Sequence, residues 1–358
     1  MRISVSAVTD FAALGQRWRD LESRAEGSFF QGWTWTGCMA EARFPDPVLL
    51  EAEENGRPVA LALFNRTRRF GRSDVLFLHE SGDRRLDNLT IELNGVLLEA
   101  GRGADLEAAC LGAVRRTRGR FLFGKRIVAS GIGEATLSSL RRAVPAVHVH
   151  RSRPAPFVDL HLLQPDGSDY LNHRSANTRH QIRRSDRAYA AAGPVAIERA
   201  ANVEQGLHFL AEMIPLHQAT WTGRGQPGSF ADPFFGQFHR GLIARGLPRE
   251  EIDLLRVTAG GQLVGILYNF RYRRRMLAYQ SGLNYRTTET HQKPGLTSHH
   301  QAIRFACALG LERYEFLAGD DRYKRSLADA EHWLHWAEAG SAWSLRSLAF
   351  RARRVFGA

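Results

Sequence analysis

Residues 292–297, Gln-Lys-Pro-Gly-Leu-Thr, have the composition of a loop that binds phosphate groups. They lie between 276–283, an apolar and aromatic stretch that predicts a strand, and 296–310, where apolar residues recur at helical spacing. A helix that begins at such a loop presents backbone N–H groups at its positive end, and Lys293 adds a cation beside them. The sequence therefore predicts a site for a pyrophosphate group.

Three histidines near this loop, His291, His299 and His300, are candidates for a general base. His299 and His300 are adjacent, so on a helix they point about 100° apart and do not easily share a metal ion. The sequence has no His-Glu-x-x-His motif, no closely paired cysteines and no Gly-x-Ser-x-Gly motif. We therefore expect neither a metal centre nor a serine nucleophile.

The loop resembles the acyl-CoA pyrophosphate loop of the GNAT acyltransferases. The matching positions are Gln292, Gly295 and Thr297, although this superfamily usually has glycine or alanine at the last of them. Further segments look like the CelD/BcsL-type branch of GNAT proteins: residues 175–184, 315–319 and 323–324. That branch is related to the FemAB-like aminoacyl transferases and is associated with envelope and exopolysaccharide biosynthesis. The resemblance extends over roughly residues 20–330.

The resemblance implies that the protein moves an acyl group from acyl-CoA, or from an acyl-carrier thioester, to an amine without a metal. GNAT proteins commonly hold the donor between two diverging strands, so backbone N–H groups around 278–280 would hold the thioester carbonyl. The donor-binding positions that follow are Tyr279, Gln280, Gln292, Lys293, Gly295, Leu296, Thr297 and Lys324.

The same resemblance implies catalytic residues. Glu315, on the expected second strand over 313–318, would take the amine proton directly or through water, and His291 is an alternative base. Tyr323 stands where the superfamily often has a tyrosine that protonates the departing thiolate. Lys324, beside it, would bind a donor phosphate or the acceptor.

An internal repeat indicates two similar units. Residues 49–64 align without gaps on 254–269, and both read as strand, tight turn, strand, with Asn-Gly at 55–56 and Gly-Gly at 260–261. We therefore expect an α/β fold of tandem GNAT-like units, each a mixed twisted sheet flanked by helices. The expected units are 1–155 and 156–340, followed by a basic helix or tail over 341–358.

The two halves differ at the donor loop, because the first half has no Gln-x-x-Gly sequence opening a helix. We therefore assign the donor to the second half and, by analogy, acceptor-binding groups to the first. Asp87, Asn88 and Glu92 are the candidates there, and turn or surface roles explain them equally well. Trp221, in a glycine-bearing segment, is a further candidate for the acceptor cleft.

Between the halves, the Pro-Ala-Pro sequence within 151–156 predicts a break in regular structure before a short strand at 157–162. Residues 172–192 then predict a helix with Arg179, Arg183 and Arg187 on one face. That basic face suits an acidic carrier protein, a phosphate-bearing acceptor or tRNA, or it is simply solvated.

The 358-residue chain has a net charge of +12, and its 44% of hydrophobic residues predict a folded protein. Three scattered cysteines, no signal-peptide-like start and no run of 18 apolar residues lead us to expect a cytoplasmic protein without a transmembrane segment. The positive charge favours an anionic partner and leaves open CoA, an acyl carrier protein, tRNA and an anionic membrane surface.

Three functions follow from these patterns. The first is N-acyl transfer to a small amine such as an amino sugar, which the pyrophosphate loop favours. The second is FemAB-type transfer from an aminoacyl-tRNA, which the basic helix suits, although the chain lacks the inserted coiled-coil arm of some relatives. The third is a non-catalytic GNAT-fold binding protein.

Overall fold

A computed structural model of the chain describes residues 1–69, 73–116, 126–286 and 289–340. They form two compact units, one made of Met1–Arg153 with 333–340 and the other of Pro154–His332. We expected 333–340 in the second unit, but this segment pairs with a strand at 126–132, a long-range contact that local sequence does not reveal. The expected tail 341–358 lies outside the described residues.

The first unit is a mixed sheet flanked by helices. Its strands are β1 (Arg2–Ala7), β2 (Ala25–Glu26), β3 (Pro47–Glu54), β4 (Arg57–Arg69), β5 (Ser73–Leu78), β6 (Leu97–Glu99) and β7 (Arg126–Ile132). Its helices are α1 (Phe11–Arg24), α2 (Trp33–Arg43), α3 (Ala104–Arg116) and α4 (Glu134–Ala143). Strand β8 (Ala146–Asp159) leads out of the unit, and β14 (Ala330–Gly340) leads back into it.

The second unit has the same kind of architecture. Its strands are β9 (Val195–Arg199), β10 (Ile252–Ala259), β11 (Gln262–Tyr272), β12 (Arg275–Leu283) and β13 (Arg313–Glu315). Its helices are α5 (Ala176–Ala190), α6 (Val203–Thr222), α7 (Pro233–Gly246), α8 (Pro294–Ala308) and α9 (Arg322–Leu327). Ser175 caps α5 by accepting a hydrogen bond from the N–H of Thr178, which explains why this helix begins later than we expected.

The strand order is the same in both units. Neighbours follow β1-β3-β4-β5-β7 in the first and β9-β10-β11-β12-β13 in the second. In each series only the last pair is parallel, and the helix before its last strand, α3 or α8, provides the crossover. The α/β class with mixed sheets flanked by helices is therefore confirmed.

Both predicted hairpins form, and their turns have the backbone angles that the sequence required. Asn55 and Gly56 have φ values of 54° and 76°, and Gly260 and Gly261 have values of 54° and 80°. Two consecutive residues with positive φ make the type of turn whose twist matches that of the flanking strands.

The predicted break at 151–156 was wrong, because β8 passes through it as one continuous strand. Proline interrupts a strand only where an N–H group is needed. Here the carbonyls of Pro154 and Pro156 act as acceptors, for the N–H groups of Gly319 at 3.0 Å and Phe316 at 2.9 Å. The two prolines therefore fit the strand.

The second hairpin gives a test of backbone strain. A Cβ atom at Gly260 would lie 1.9 Å from the carbonyl oxygen of Ala192, whereas one at Gly261 would meet no atom within 4 Å. Alanine at either position has the strain of a positive φ, about 1–3 kcal/mol. We expect Gly260→Ala to lower the free energy of unfolding clearly more than Gly261→Ala in denaturant titrations. Equal losses would contradict the close approach at Gly260.

Candidate active site

The strands β12 and β13 diverge within the second unit. They pair only between 275–277 and 313–315, after which β12 continues to Leu283 while β13 ends. The chain beyond Glu315 turns towards β8, because Phe316 and Gly319 donate hydrogen bonds to its carbonyls. The strand expected over 313–318 is therefore shorter, and one side of β12 from residue 278 onward is left open.

A β-bulge interrupts β12 beside this opening. Tyr268 of β11 faces Gln280, and Asn269 faces Ala278, so Tyr279 is the extra residue. A bulge takes the backbone of its extra residue out of the regular ladder. The ring of Tyr279 packs against Phe270, at 4.5 Å between centroids. The tyrosine ring therefore packs inside the unit, and the backbone of residues 278–280 lies along the unpaired edge of β12.

The predicted phosphate loop leads directly into α8. This helix begins at Pro294, earlier than expected, since proline suits the first position of a helix. The N–H groups of Gly295 and Leu296 thus fall in the first turn, where an α-helix has no internal acceptors for them. A Cβ atom at Gly295 would lie 3.3 Å from Leu283 and 3.8 Å from the hydroxyl of Tyr285, so the glycine keeps this approach narrow but open.

Helix α5 holds the loop in place through buried hydrogen bonds. The N–H of Lys293 donates to Ser185 Oγ at 2.9 Å. Thr297 is fully buried, and its hydroxyl donates to Asp186 at 2.7 Å and lies 2.9 Å from Ser185 Oγ. The N–H of Thr297 donates to the carbonyl of Lys293. These bonds occupy the polar groups of Thr297 within the protein, so it shapes the loop.

Other loop side chains also contact α5. The amide of Gln292 donates to a backbone carbonyl of this helix at 3.4 Å, and Lys293 Nζ donates to Gln181 at 2.9 Å. Arg184 contacts His291, which lies on the exposed loop. Desolvation and the charges of Arg184 and Lys293 lower the pKa of His291.

Tyr323 and Lys324, the two candidates at the start of α9, lie in different environments. Tyr323 is 43% exposed, and its ring stacks on His299 at 5.9 Å. Desolvation, followed by the negative charge of Asp321, raises the pKa of Tyr323, so it is protonated at neutral pH. Lys324 turns inward, and its Nζ donates to the carbonyl of Ala318 at 3.0 Å. Its position therefore favours fixing the chain after β13 over binding a phosphate.

Glu315 lies in the interior. It is the last paired residue of β13, with no exposed surface, and its carboxylate is 3.8 Å from His332 Nδ1. Burial and the charges of Arg313 and Arg275 lower the pKa of His332 to about 4, so this histidine is neutral at neutral pH. Glu315 is therefore enclosed where β12 and β13 are still paired, before the two strands separate.

Within the second unit, the acceptor candidate Trp221 is linked to the donor candidates through Arg224. Trp221, at the end of α6, is 38% exposed and lies 5.6 Å from the guanidinium of Arg224. The charge of Arg224 acts on both Tyr285 and Tyr323, and the Tyr285 hydroxyl lies beside Gly295. Sequence reasoning missed Arg224 and Tyr285, which stand in loops without a local motif.

The three candidates in the first unit differ in their surroundings. The carboxylate of Asp87 accepts hydrogen bonds from the N–H and hydroxyl of Ser81, at 2.8 and 2.7 Å, and from the N–H of Gly82 at 2.8 Å. Asp87 thus holds its own loop. Asn88 is exposed, and Glu92 is buried.

The first unit also closes the gap that corresponds to the opening beside β12. Its strands β5 and β7 pair at 75–77 and 126–128. Beyond these pairs, the N–H of Asn94 donates to Gly131 at 3.0 Å, and its side-chain amide donates to Leu78 at 3.0 Å. Asn94 therefore bridges the ends of both strands, which gives a physical reason to place the donor in the second unit.

The basic face predicted on α5 is present. Arg179, Arg183 and Arg187, with His180, line an open space of about 550 Å³. Across the described residues, no cluster of three or more His, Cys, Asp or Glu side chains suits a metal ion. None of the helices described is both long and apolar enough to cross a membrane.

The family model for the acetyltransferase (GNAT) domain matches residues 176–325. No protein with a curated function matches the sequence. Among solved structures, FemX is 10% identical, with 98% of this chain and 99% of that chain covered and a TM-score of 0.62. L-PGS from Bacillus licheniformis is 11% identical, with 96% and 97% covered and a TM-score of 0.54. At these identities the structures show a shared fold.

The support from α5 can be tested at Thr297. Thr297→Val keeps the shape of the side chain but removes the hydroxyl that serves Asp186 and Ser185, and an unpaired buried partner costs about 1–3 kcal/mol. We expect a loss of that size in the free energy of unfolding and faster hydrogen exchange over 293–297. Thr297→Ser, which retains the hydroxyl, is the control. Unchanged exchange in the valine variant would show that the loop does not depend on this bond.

Proposed function

We propose that this protein, whose residues 176–325 match the family model for the GNAT acetyltransferase domain, is an N-acyltransferase that takes its acyl group from acyl-CoA and transfers it to an amine. The observation that carries the proposal is the divergence of β12 and β13 in front of the first turn of α8. An extended thioester needs an opening beside a strand, and a pyrophosphate needs unpaired N–H groups. Both lie in the same part of the second unit.

The chemistry is assigned to groups around this opening. The N–H groups of Gly295 and Leu296, at the positive end of α8, would hold the pyrophosphate. Backbone N–H groups at the bulge, residues 278–280, would stabilise negative charge on the thioester oxygen. Tyr323 carries a proton at neutral pH and would give it to the departing thiolate.

The acceptor is proposed to be a small polar amine, such as an amino sugar. The exposed ring of Trp221 offers an apolar face of the kind that packs against a sugar, and Arg224 offers hydrogen-bond donors beside it. A role in envelope or exopolysaccharide biosynthesis follows from the CelD/BcsL resemblance. An acyl carrier protein is a further donor that the basic face of α5 would suit.

Gly295 tests the donor. A valine there would project its methyl groups in front of the N–H groups of the first turn, and because its Cβ atom would already lie 3.3 Å from a methyl group of Leu283, that side chain would have to shift slightly. We expect Gly295→Val to abolish CoA binding in calorimetry while the thermal unfolding midpoint changes little. Gly133→Val is the control for a valine at the start of a helix outside the proposed donor site, since Gly133 directly precedes α4 and has nothing within 4 Å of its Cβ position. Unchanged CoA affinity in Gly295→Val would refute the pyrophosphate assignment.

A second candidate function is FemAB-type transfer from an aminoacyl-tRNA. The observation that favours it is the open space of about 550 Å³ above α5, lined by Arg179, Arg183 and Arg187. Nucleic-acid phosphates bind to such clusters with release of counterions.

This alternative predicts a strong dependence of RNA binding on salt. Replacing Arg179, Arg183 and Arg187 with glutamine would weaken tRNA binding and reduce the slope of log K against log salt by up to about three, one for each lost phosphate contact. Filter binding over a salt series measures this, and the same changes at the exposed Arg2, Arg141 and Arg142 of the first unit serve as the control. If the unaltered protein retains no tRNA at low salt, the alternative is excluded.

A further inference from the structure

His217 is a buried histidine that neither the loop nor the resemblance singled out. It lies near the end of α6, is 2% exposed, and its Nδ1 is 3.1 Å from the carbonyl oxygen of Ser281 on β12. A carbonyl oxygen only accepts hydrogen bonds, so Nδ1 carries the proton. In the neutral ring Nε2 therefore presents a lone pair.

This lone pair has no hydrogen-bond partner among the described residues. The ring is held edge-to-face by Phe230, at 5.1 Å between centroids, and lies 6.0 Å from Trp221. A buried acceptor without a partner in the protein marks a position where a bound molecule can supply the missing hydrogen bond. A fixed tautomer with an available lone pair is what a general base requires.

His217 is anchored to the part of β12 that borders the opening. Its anchor, Ser281, lies two positions beyond the bulge residue Tyr279, on the part of β12 that continues past the last pair with β13. Its neighbour Trp221 lies beside Arg224, whose charge reaches Tyr323. His217 therefore belongs to the side of the opening where we place the acceptor.

We propose that His217 is the general base that takes the proton from the attacking amine. The assignment rests on the acyl-CoA function proposed above. Once the neutral amine attacks the thioester carbon, the C–N bond forms and the nitrogen gives one proton to Nε2. The C–S bond then breaks, the thiolate takes the proton of Tyr323, and the imidazolium returns its proton to the tyrosinate.

The other candidate bases have less suitable surroundings. Glu315 is buried like His217, but it lies where β12 and β13 are still paired, whereas His217 is anchored to β12 beyond the last pair. His291 lies on an exposed loop in contact with Arg184. Of the two histidines, His217 has one ring nitrogen anchored by a backbone carbonyl and a second ring nitrogen that has no partner within the described chain.

The charge state of His217 follows from its surroundings. Burial lowers its pKa, while the bond to Ser281 opposes that shift. The titratable and charged groups that contact its aromatic neighbours are Arg224 at Trp221 and His239 of α7 at Phe230, and Tyr268 and Tyr279 lie against His239 in turn. The ring is thus neutral and ready to accept a proton at neutral pH.

The kinetic test uses His217→Asn. The asparagine amide can still donate to Ser281 in place of Nδ1, but the lone pair of Nε2 is gone. With acetyl-CoA and glucosamine as probes, we expect kcat to fall about 10² to 10⁴-fold, the pH profile to lose the limb that belongs to the base, and CoA affinity in calorimetry to stay unchanged. His208→Asn, on the exposed face of the same helix, is the control and should change nothing.

A measurement without turnover tests the same point. In a long-range ¹⁵N–¹H spectrum, assigned by comparison with His217→Asn, the His217 ring should be neutral at pH 7, with its proton on Nδ1. A ring charged at pH 7, or one with its proton on Nε2, would overturn the proposal, as would a kcat loss below about fivefold with glucosamine. If the unaltered protein does not bind CoA, the donor proposal fails. Normal CoA binding with unimpaired acetylation in His217→Asn refutes the base alone.

Discussion

The second unit depends on how a strand of three residues is paired. One edge of β13 pairs with β12 at 275–277, and the other pairs with β8 at 157–159. After Glu315 the chain follows β8, because proline carbonyls there accept its N–H groups. Because this segment follows β8, it leaves β12 unpaired from the point where β8 and β12 separate. The opening beside β12 is thus a consequence of sheet pairing and needs no special loop.

The loop at the far end of this opening is fixed by a helix that comes much earlier in the chain. Ser185 and Asp186 of α5 bind the backbone of Lys293 and the hydroxyl of Thr297, and Asp186 also contacts His300 at 2.7 Å. The hydrogen bond to Asp186 therefore explains why position 297 is a threonine, where the GNAT acyltransferases that the loop resembles usually have a smaller residue. The departure from the family pattern strengthens the contact between two helices.

Local signals carried most of the successful sequence predictions. Asn-Gly and Gly-Gly pairs set the hairpin turns because these residues readily adopt a positive φ. Pro294 placed the start of α8 to within two residues because proline suits the first turn of a helix. The break expected at 151–156 was wrong because the carbonyls of Pro154 and Pro156 accept hydrogen bonds from N–H groups that are distant in the chain, and no local pattern reveals those donors. The bulge at Tyr279 and the anchor of His217 depend on register across the sheet, which no local pattern encodes.

The position of α5 in the chain sets the smallest fragment that could keep this loop. The strands β9 to β13 all lie after residue 194, so a fragment beginning there would contain these five strands. It would lack the part of β8 that pairs with β13, and also Ser185 and Asp186, the residues that hold the loop from outside the sheet. The domain match that starts at residue 176 includes them. A fragment chosen from β9 to β13 alone would thus keep these strands and lose the hydrogen bonds that fix the loop at 292–297.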